Sequence, residues 1–150
     1  MVAPICFIQT ILMIMDYKGH VLDLANSVNP VIGQTPNPTV TNNQLWDPIP
    51  INADQTNFIF ETPVTNNPNN FLSYPGASTN GTLLFMQATG ETFSTTFELD
   101  CVNSTSGHLL EVNSGLALTA WPEEEGSTIT PVTYETFTAR EEQVWTFLPA

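Results

Sequence analysis

The sequence has almost no positive charge. Lys18 and Arg140 are its only fixed cations in 150 residues, against 15 Asp and Glu, for a formal net charge of −13. A polyphosphate, heparin or nucleic-acid partner needs a basic patch to displace counterions, so none is expected. An anionic membrane surface is excluded on the same ground. Charge of either sign is scarce at 11% of residues, well under half the usual share. Ion pairs therefore cannot carry stability, which falls to backbone ladders and burial. No apolar run reaches the length that spans a bilayer, so no membrane insertion is expected.

Histidine and cysteine are equally sparse, with two of each. His20 and His108 form no His-x-x-x-His pair and sit beside no nucleophile elbow, so they are read as turn or strand-start residues and no enzyme activity is expected. Cys6 and Cys101 stand alone, without zinc spacing, and a Gly-rich phosphate loop is missing; no metal or cofactor is implied. Each cysteine lies in an apolar run and is read as a buried reduced thiol, with a disulfide as the alternative. Glu123, Glu124 and Glu125 read as a solvated loop. The apolar stretch 5–15 lacks a preceding basic residue and a small-residue cleavage site, so it reads as strand and not as a signal; a cytoplasmic location is the expectation.

What is present is repetition. Gln44-Leu45-Trp46 near the first third of the chain returns at the end as Gln143-Val144-Trp145. In a strand, residues two apart share a face, so each Gln and Trp should point inward together. Midway, Phe97 stands where a third Trp would, 51 residues after Trp46 and 48 before Trp145. Phe7, Phe58 and Leu109 form another series at steps of 51. Turn clusters of Asn, Pro, Ser and Gly separate short apolar runs, and none shows a capped helical period. The spacing predicts twelve strands: 4–13, 20–24, 31–35 and 44–51; then 58–64, 70–74, 83–88 and 95–102; then 107–112, 116–121, 130–137 and 143–148. Pro48 and Pro50 mark the fourth as an edge or a bulge. Three units of four strands in one domain, residues 1–150, predict an all-β fold of the β-trefoil type; the threefold repeat favours it over a sandwich.

The paired Gln-x-Trp, with Gly115-Leu116-Ala117-Leu118-Thr119 and Thr130-Pro131-Val132 before the second copy, resembles the ricin-B-type β-trefoil lectins, most of all the small mushroom lectins. The resemblance runs along the whole chain at motif level. It implies a defence protein that binds a neutral glycan and often forms a homodimer. In such lectins an Asp ending the second strand takes two sugar hydroxyls, and polar residues of the third strand and of the Gln-x-Trp segment complete the contacts. Carried onto this chain, that implies one pocket in the first unit, from Asp23, Gly33, Gln34, Asn43 and Gln44. Ser73 and Leu118 occupy the Asp position in the other units. Where the family has a stacking aromatic, this chain has Thr35 and Pro36, leaving Tyr17, Trp46 or a loop residue as candidates. Related mushroom trefoils are protease inhibitors, so an exposed loop at 25–30 or 35–42 is the alternative, with Asn26 or Asn29 at the contact. Asn103-Ser104-Thr105 and Asn80-Gly81-Thr82 fit the glycosylation sequon and are expected to be unmodified without a signal.

Overall fold

A computed structural model describes residues 6, 10–27, 30–64, 71–74, 86, 87, 89–91 and 96–150. The predicted strand segments at 4–5, 7–9, 70, 83–85, 88 and 95, together with Asn29 and the sequon at Asn80, lie outside the described residues. Among the described residues the ordered elements are strands and single 3-10 turns, in one sheet of thirteen strands. No helix among them is long and apolar enough to cross a membrane.

Six strands form a ring. These are β1 (Leu12–Met15), β4 (Asp47–Pro50), β5 (Asn57–Glu61), β9 (Phe97–Cys101), β10 (Ser106–Glu111) and β13 (Trp145–Pro149). The antiparallel order runs β1–β13–β10–β9–β5–β4. A bridge between Leu12 and Trp46, with N···O distances of 3.0 and 2.9 Å, returns the last strand to the first. Closure leaves few strand edges exposed. The prolines of β4 fit this arrangement. Ile51 donates to Asn57 across the β4–β5 ladder, so the alternation of antiparallel bonding turns Pro48 and Pro50 away from that ladder. Their nitrogens face the side where β1 pairs only through Trp46.

Three further antiparallel pairs adjoin the ring. They are β2 (Val21–Leu24) with β3 (Val31–Gln34), β6 (Phe71–Ser73) with β8 (Thr89–Glu91), and β11 (Ala117–Ala120) with β12 (Ile129–Glu135). β12 also pairs with β3 and with the short β7 (Met86–Gln87). Of the strand expected at 83–88 the described part is β7 alone, and the strand that faces β6 is β8, which lies beyond the expected span. Gly90 stands opposite Leu72 as Gly33 stands opposite Leu22. The sequence repeat aligns Leu84-Phe85-Met86-Gln87 with Val31-Ile32-Gly33-Gln34, whereas the ladders put Gly90 in the place of Gly33, four residues further on, because that stretch carries several apolar positions with no clear period.

The core is apolar and aromatic. Trp46, Phe58, Phe60, Phe97, Tyr134 and Trp145 are all fully or almost fully buried. Phe60 and Phe97 meet edge to face at 5.8 Å, and Phe97 stacks on Tyr134 at 6.1 Å. The cysteines correct the sequence expectation: Cys6 and Cys101 are joined in a disulfide across 95 residues, with Cα atoms 5.5 Å apart. A side chain at Gly107 would meet the Cys6 sulfur at 2.9 Å and the Asp100 carbonyl at 2.8 Å, so only glycine fits beside the bridge.

Candidate functional site

Each Gln-x-Trp departs from the expected strand in one respect. Gln44 closes a 3-10 turn, Asn42–Gln44, and Gln143 closes another, Glu141–Gln143; Trp145 then opens β13, and Trp46 forms its bridge to Leu12 just ahead of β4. Both Gln and both Trp are buried nonetheless. The turn lets the amide reach sideways across the loop instead of into a ladder. Gln44 Nε2 donates to the Thr35 carbonyl at 3.1 Å, while its Oε1 accepts from the Asn37 backbone at 2.9 Å. Gln143 repeats this with the Thr136 carbonyl and the Thr138 backbone, each at 2.9 Å. The indoles repeat as well: Trp46 Nε1 donates to the Leu22 carbonyl at 3.1 Å and Trp145 Nε1 to the Leu118 carbonyl at 2.9 Å.

These bonds set the register between the two halves and correct one expectation. Gln44 reaches Asp23 where Gln143 reaches Thr119, so Thr119 and not Leu118 takes the place of the Asp. Leu118 points into the core. Strand alternation could have shown this, since Leu22 and Leu118 each precede the polar position. Thr119 is a poor substitute. Its hydroxyl donates to the Ala117 carbonyl and accepts from Gln143, leaving one lone pair on an almost fully buried atom.

Asp23 is placed differently. Its Oδ1 accepts from Asn43 Nδ2 and its Oδ2 from Gln44 Nε2, both at 2.9 Å. A carboxylate offers about four lone-pair sites, so two remain for incoming donors. The side chain is only 5% exposed, yet it lines a cavity of about 380 Å³ with Ala25, Asn26, Ile32, Gln34, Asn37, Asn43 and Ile129. Among the described residues Asp23 is the only ionisable group on that wall. Three expected residues, Asp23, Gln34 and Asn43, therefore converge on one cavity. Gln44 is brought to it only from behind, as the donor that orients Asp23.

Gly33 has another role. Its β3 backbone lies against Thr130 of β12, and a Cβ there would collide with Thr130 Oγ1 and touch His20 Cβ at 3.4 Å. The glycine permits close approach of two strands and does not line the cavity. Neither aromatic candidate stacks over the site. Trp46 is fully buried, and Tyr17 packs against the core with the Lys18 ammonium 5.5 Å from its ring. The apolar wall is instead Ile32 with Ile129, which is 45% exposed. Sequence reasoning missed Ile129 because it comes from the third unit, opposite Gln34 across β3 and β12. The loops of the inhibitor alternative contribute Asn26 and Asn37 to the same cavity. Asn26 holds a left-handed φ of 55°, a conformation asparagine tolerates well.

A second cavity of about 340 Å³ is lined by Lys18, His20, Pro122 and Glu123. There His20 Nε2 meets Glu123 Oε1, and His20 Nδ1 lies 3.3 Å from Asp16 Oδ2. The imidazole ties the β1–β2 turn to the loop after β11.

No family model matches the chain, and comparison with curated proteins gives no match. Comparison of structures does. The Rhizoctonia solani agglutinin superposes with a TM-score of 0.77 at 14% identity, over 99% of this chain and all of that one. The Macrolepiota procera ricin B-like lectin, solved with lactose, gives 0.72 at 16% identity over 100% and 99% of the two chains. The structure titled BEL beta-trefoil gives 0.68 at 13% identity, over 99% of each chain. Its structural neighbours include β-trefoils. At such identities the likeness concerns the fold, and lectins recur among the neighbours.

Proposed function

We propose that the chain is a single-domain β-trefoil lectin of three four-strand repeats, which takes a neutral glycan into one pocket of the first repeat. The observation that carries the reading is the Asp23 carboxylate. Two amide donors hold it in a cavity wall, and it keeps free lone pairs where sugar hydroxyls would enter. Hydrogen bonds to a charged acceptor are roughly twice as strong as neutral ones. The threefold repeat is supported by Trp46, Phe97 and Trp145, each buried where a ring strand begins. Single occupancy is supported by the spent hydroxyl of Thr119. The neighbours named agglutinin and ricin B-like lectin support the function class; a neutral sugar is supported by the carboxylate of the cavity wall and by the net charge of −13, which would repel an anionic one.

A non-enzymatic defence role, a homodimer and a cytoplasmic location belong to the same proposal. The cysteine pair tests the location: in a reducing compartment Cys6 and Cys101 should be recovered largely as thiols, and in an oxidising one as the bridge. The test of function is a glycan array run beside a panel of protease assays. Binding to neutral glycans that holds between low and high salt is expected, because neutral sugars release no counterions. Protease inhibition without glycan binding would overturn the lectin reading.

A further inference from the structure

The cavity at Asp23 does not end at the first repeat. β3 and β12 are paired so that Ile129 faces Gln34 and Pro131 faces Ile32, with Thr130 opposite Gly33 between them. Residues directly opposite in a ladder share a face and alternate residues reverse it. Thr130 and Gly33 are buried on the inner side, and Ile129 and Pro131 are exposed on the outer one. The outer face of this ladder is therefore a strip of Ile32, Ile129 and Pro131. On its far side lies another cavity, of about 290 Å³, lined by Ile32, Glu124, Ser127, Ile129, Thr130 and Pro131. The two cavities share Ile32 and Ile129 as a common wall.

We propose that the two cavities form one groove for a neutral oligosaccharide of at least two sugars. Asp23 holds one sugar, the aliphatic strip supports the C–H face of the chain, and Glu124 with Ser127 receives the next sugar. The inference rests on the lectin reading above and names the ligand class of that site. An exposed aliphatic strip with polar groups at both ends is the usual form of a binding groove. The turn that presents Glu124 is fixed locally, since Ser127 N donates to the Glu124 carbonyl at 3.0 Å and Gly126 adopts a φ of 81°. Ser127 Oγ also bonds to the backbone of Ile129, tying the turn to the strip. Among the described residues Asp23 and Glu124 are the only ionisable groups on the two walls. Both are acidic, and the whole chain carries −13. A sialylated sugar would meet like charge at Glu124 and lose its binding.

The test uses an array of neutral mono-, di- and trisaccharides with the sialylated form of each, probed with wild type, Asp23→Asn, Glu124→Ala and Glu124→Lys. Glu124 is exposed on a loop, so its variants should melt as wild type does. Wild type is expected to bind neutral di- or trisaccharides at least about tenfold more tightly than the monosaccharide, the effect of one or two added hydrogen bonds to a charged group. Glu124→Ala should weaken the longer glycans about five- to tenfold and leave the monosaccharide unchanged, while Glu124→Lys should admit sialylated ligands. Equal binding of mono- and oligosaccharide, with Glu124→Ala silent and Asp23→Asn weakened, would overturn the groove and leave the lectin pocket standing. Glycan binding indifferent to both residues, or no glycan binding at all, would overturn both.

Discussion

Replacing Gly33 by alanine probes the contact between β3 and β12 on which the site is built. No left-handed φ is needed at Gly33, so the backbone itself accepts alanine. On conformational entropy alone the change should then stabilise the fold by about 0.4–1 kcal/mol. The obstacle is Thr130 Oγ1, which stands well inside contact distance of the new methyl. Thr130 is almost fully buried and its hydroxyl lacks a hydrogen-bond partner, so it gains little where it is. Overpacking of this kind costs about 1–3 kcal/mol, enough to reverse the entropic gain. Thr130→Ala removes the colliding atom and leaves the Thr130 Cβ at 3.6 Å and the His20 Cβ at 3.4 Å, both ordinary contacts. The double variant should therefore recover the loss, with a coupling of about 1–3 kcal/mol between the two sites. Urea unfolding of wild type, both single variants and the double variant measures this directly. Gly33→Ala as stable as wild type, or a double variant no better than the sum of its parts, would refute the close approach of the two strands.

Three further outcomes are expected. Trp145→Ala should cost about 3–5 kcal/mol, because it removes a buried indole and strands the Leu118 carbonyl it serves; chemical denaturation measures it. Reducing the Cys6–Cys101 bridge should lower stability by roughly 2–5 kcal/mol, the cost of releasing a loop of 95 residues; thermal melts with and without dithiothreitol check this against a Cys101→Ser variant. Burial holds the Glu135 carboxyl above its usual pKa against the Thr133 hydrogen bond and Arg140, which lower it. The folded state therefore keeps this proton longer than the unfolded chain, and stability from Glu135 is lost as pH rises from the ordinary carboxylate range through the raised value. Subtracting the pH–stability curve of Glu135→Gln should isolate that fall.

The sequence was legible where local chemistry decides structure. Turn clusters and the doubled Gln-x-Trp marked most strands of the first and third units to within a few residues, and Asp23, Gln34 and Asn43 do meet. The exception is the first strand, expected at 4–13 and found at Leu12–Met15, with Cys6, Thr10 and Ile11 outside it, because the continuous apolar run there gives no period to mark where pairing starts. It was illegible where partners come from far along the chain. Nothing near Cys6 indicates that Cys101 lies beside it, because the pairing is set by how β9 and β10 close the ring. Ile129 reaches the Asp23 cavity only through the β3–β12 ladder, and no local pattern announces that pairing. Gly33 was read as a ligand contact, yet the demand for glycine comes from Thr130, 97 positions later in the sequence. The one-residue slip from Thr119 to Leu118 has a simple origin. Strand register decides which face a residue takes, and an apolar run on both faces hides it.

Asp23 is more deeply built in than a rim carboxylate. Asp23→Asn would set an amide N–H₂ against the Asn43 or the Gln44 donor, so some loss of stability accompanies any loss of binding. Gln34→Ala supplies the complement, since among the described residues that side chain bonds only to the backbone of Thr35, and it lines the cavity. The most direct test of the account is calorimetric titration of wild type, Asp23→Asn and Gln34→Ala with the neutral glycan best bound on the array, with melting followed on each. Wild type should bind. Asp23→Asn, still folded, should lose about 1.5–3 kcal/mol of binding, the worth of a hydrogen bond to a charged group, and Gln34→Ala should bind more weakly with an unchanged melt. Folded variants that bind as tightly as wild type would contradict the account and put the glycan elsewhere.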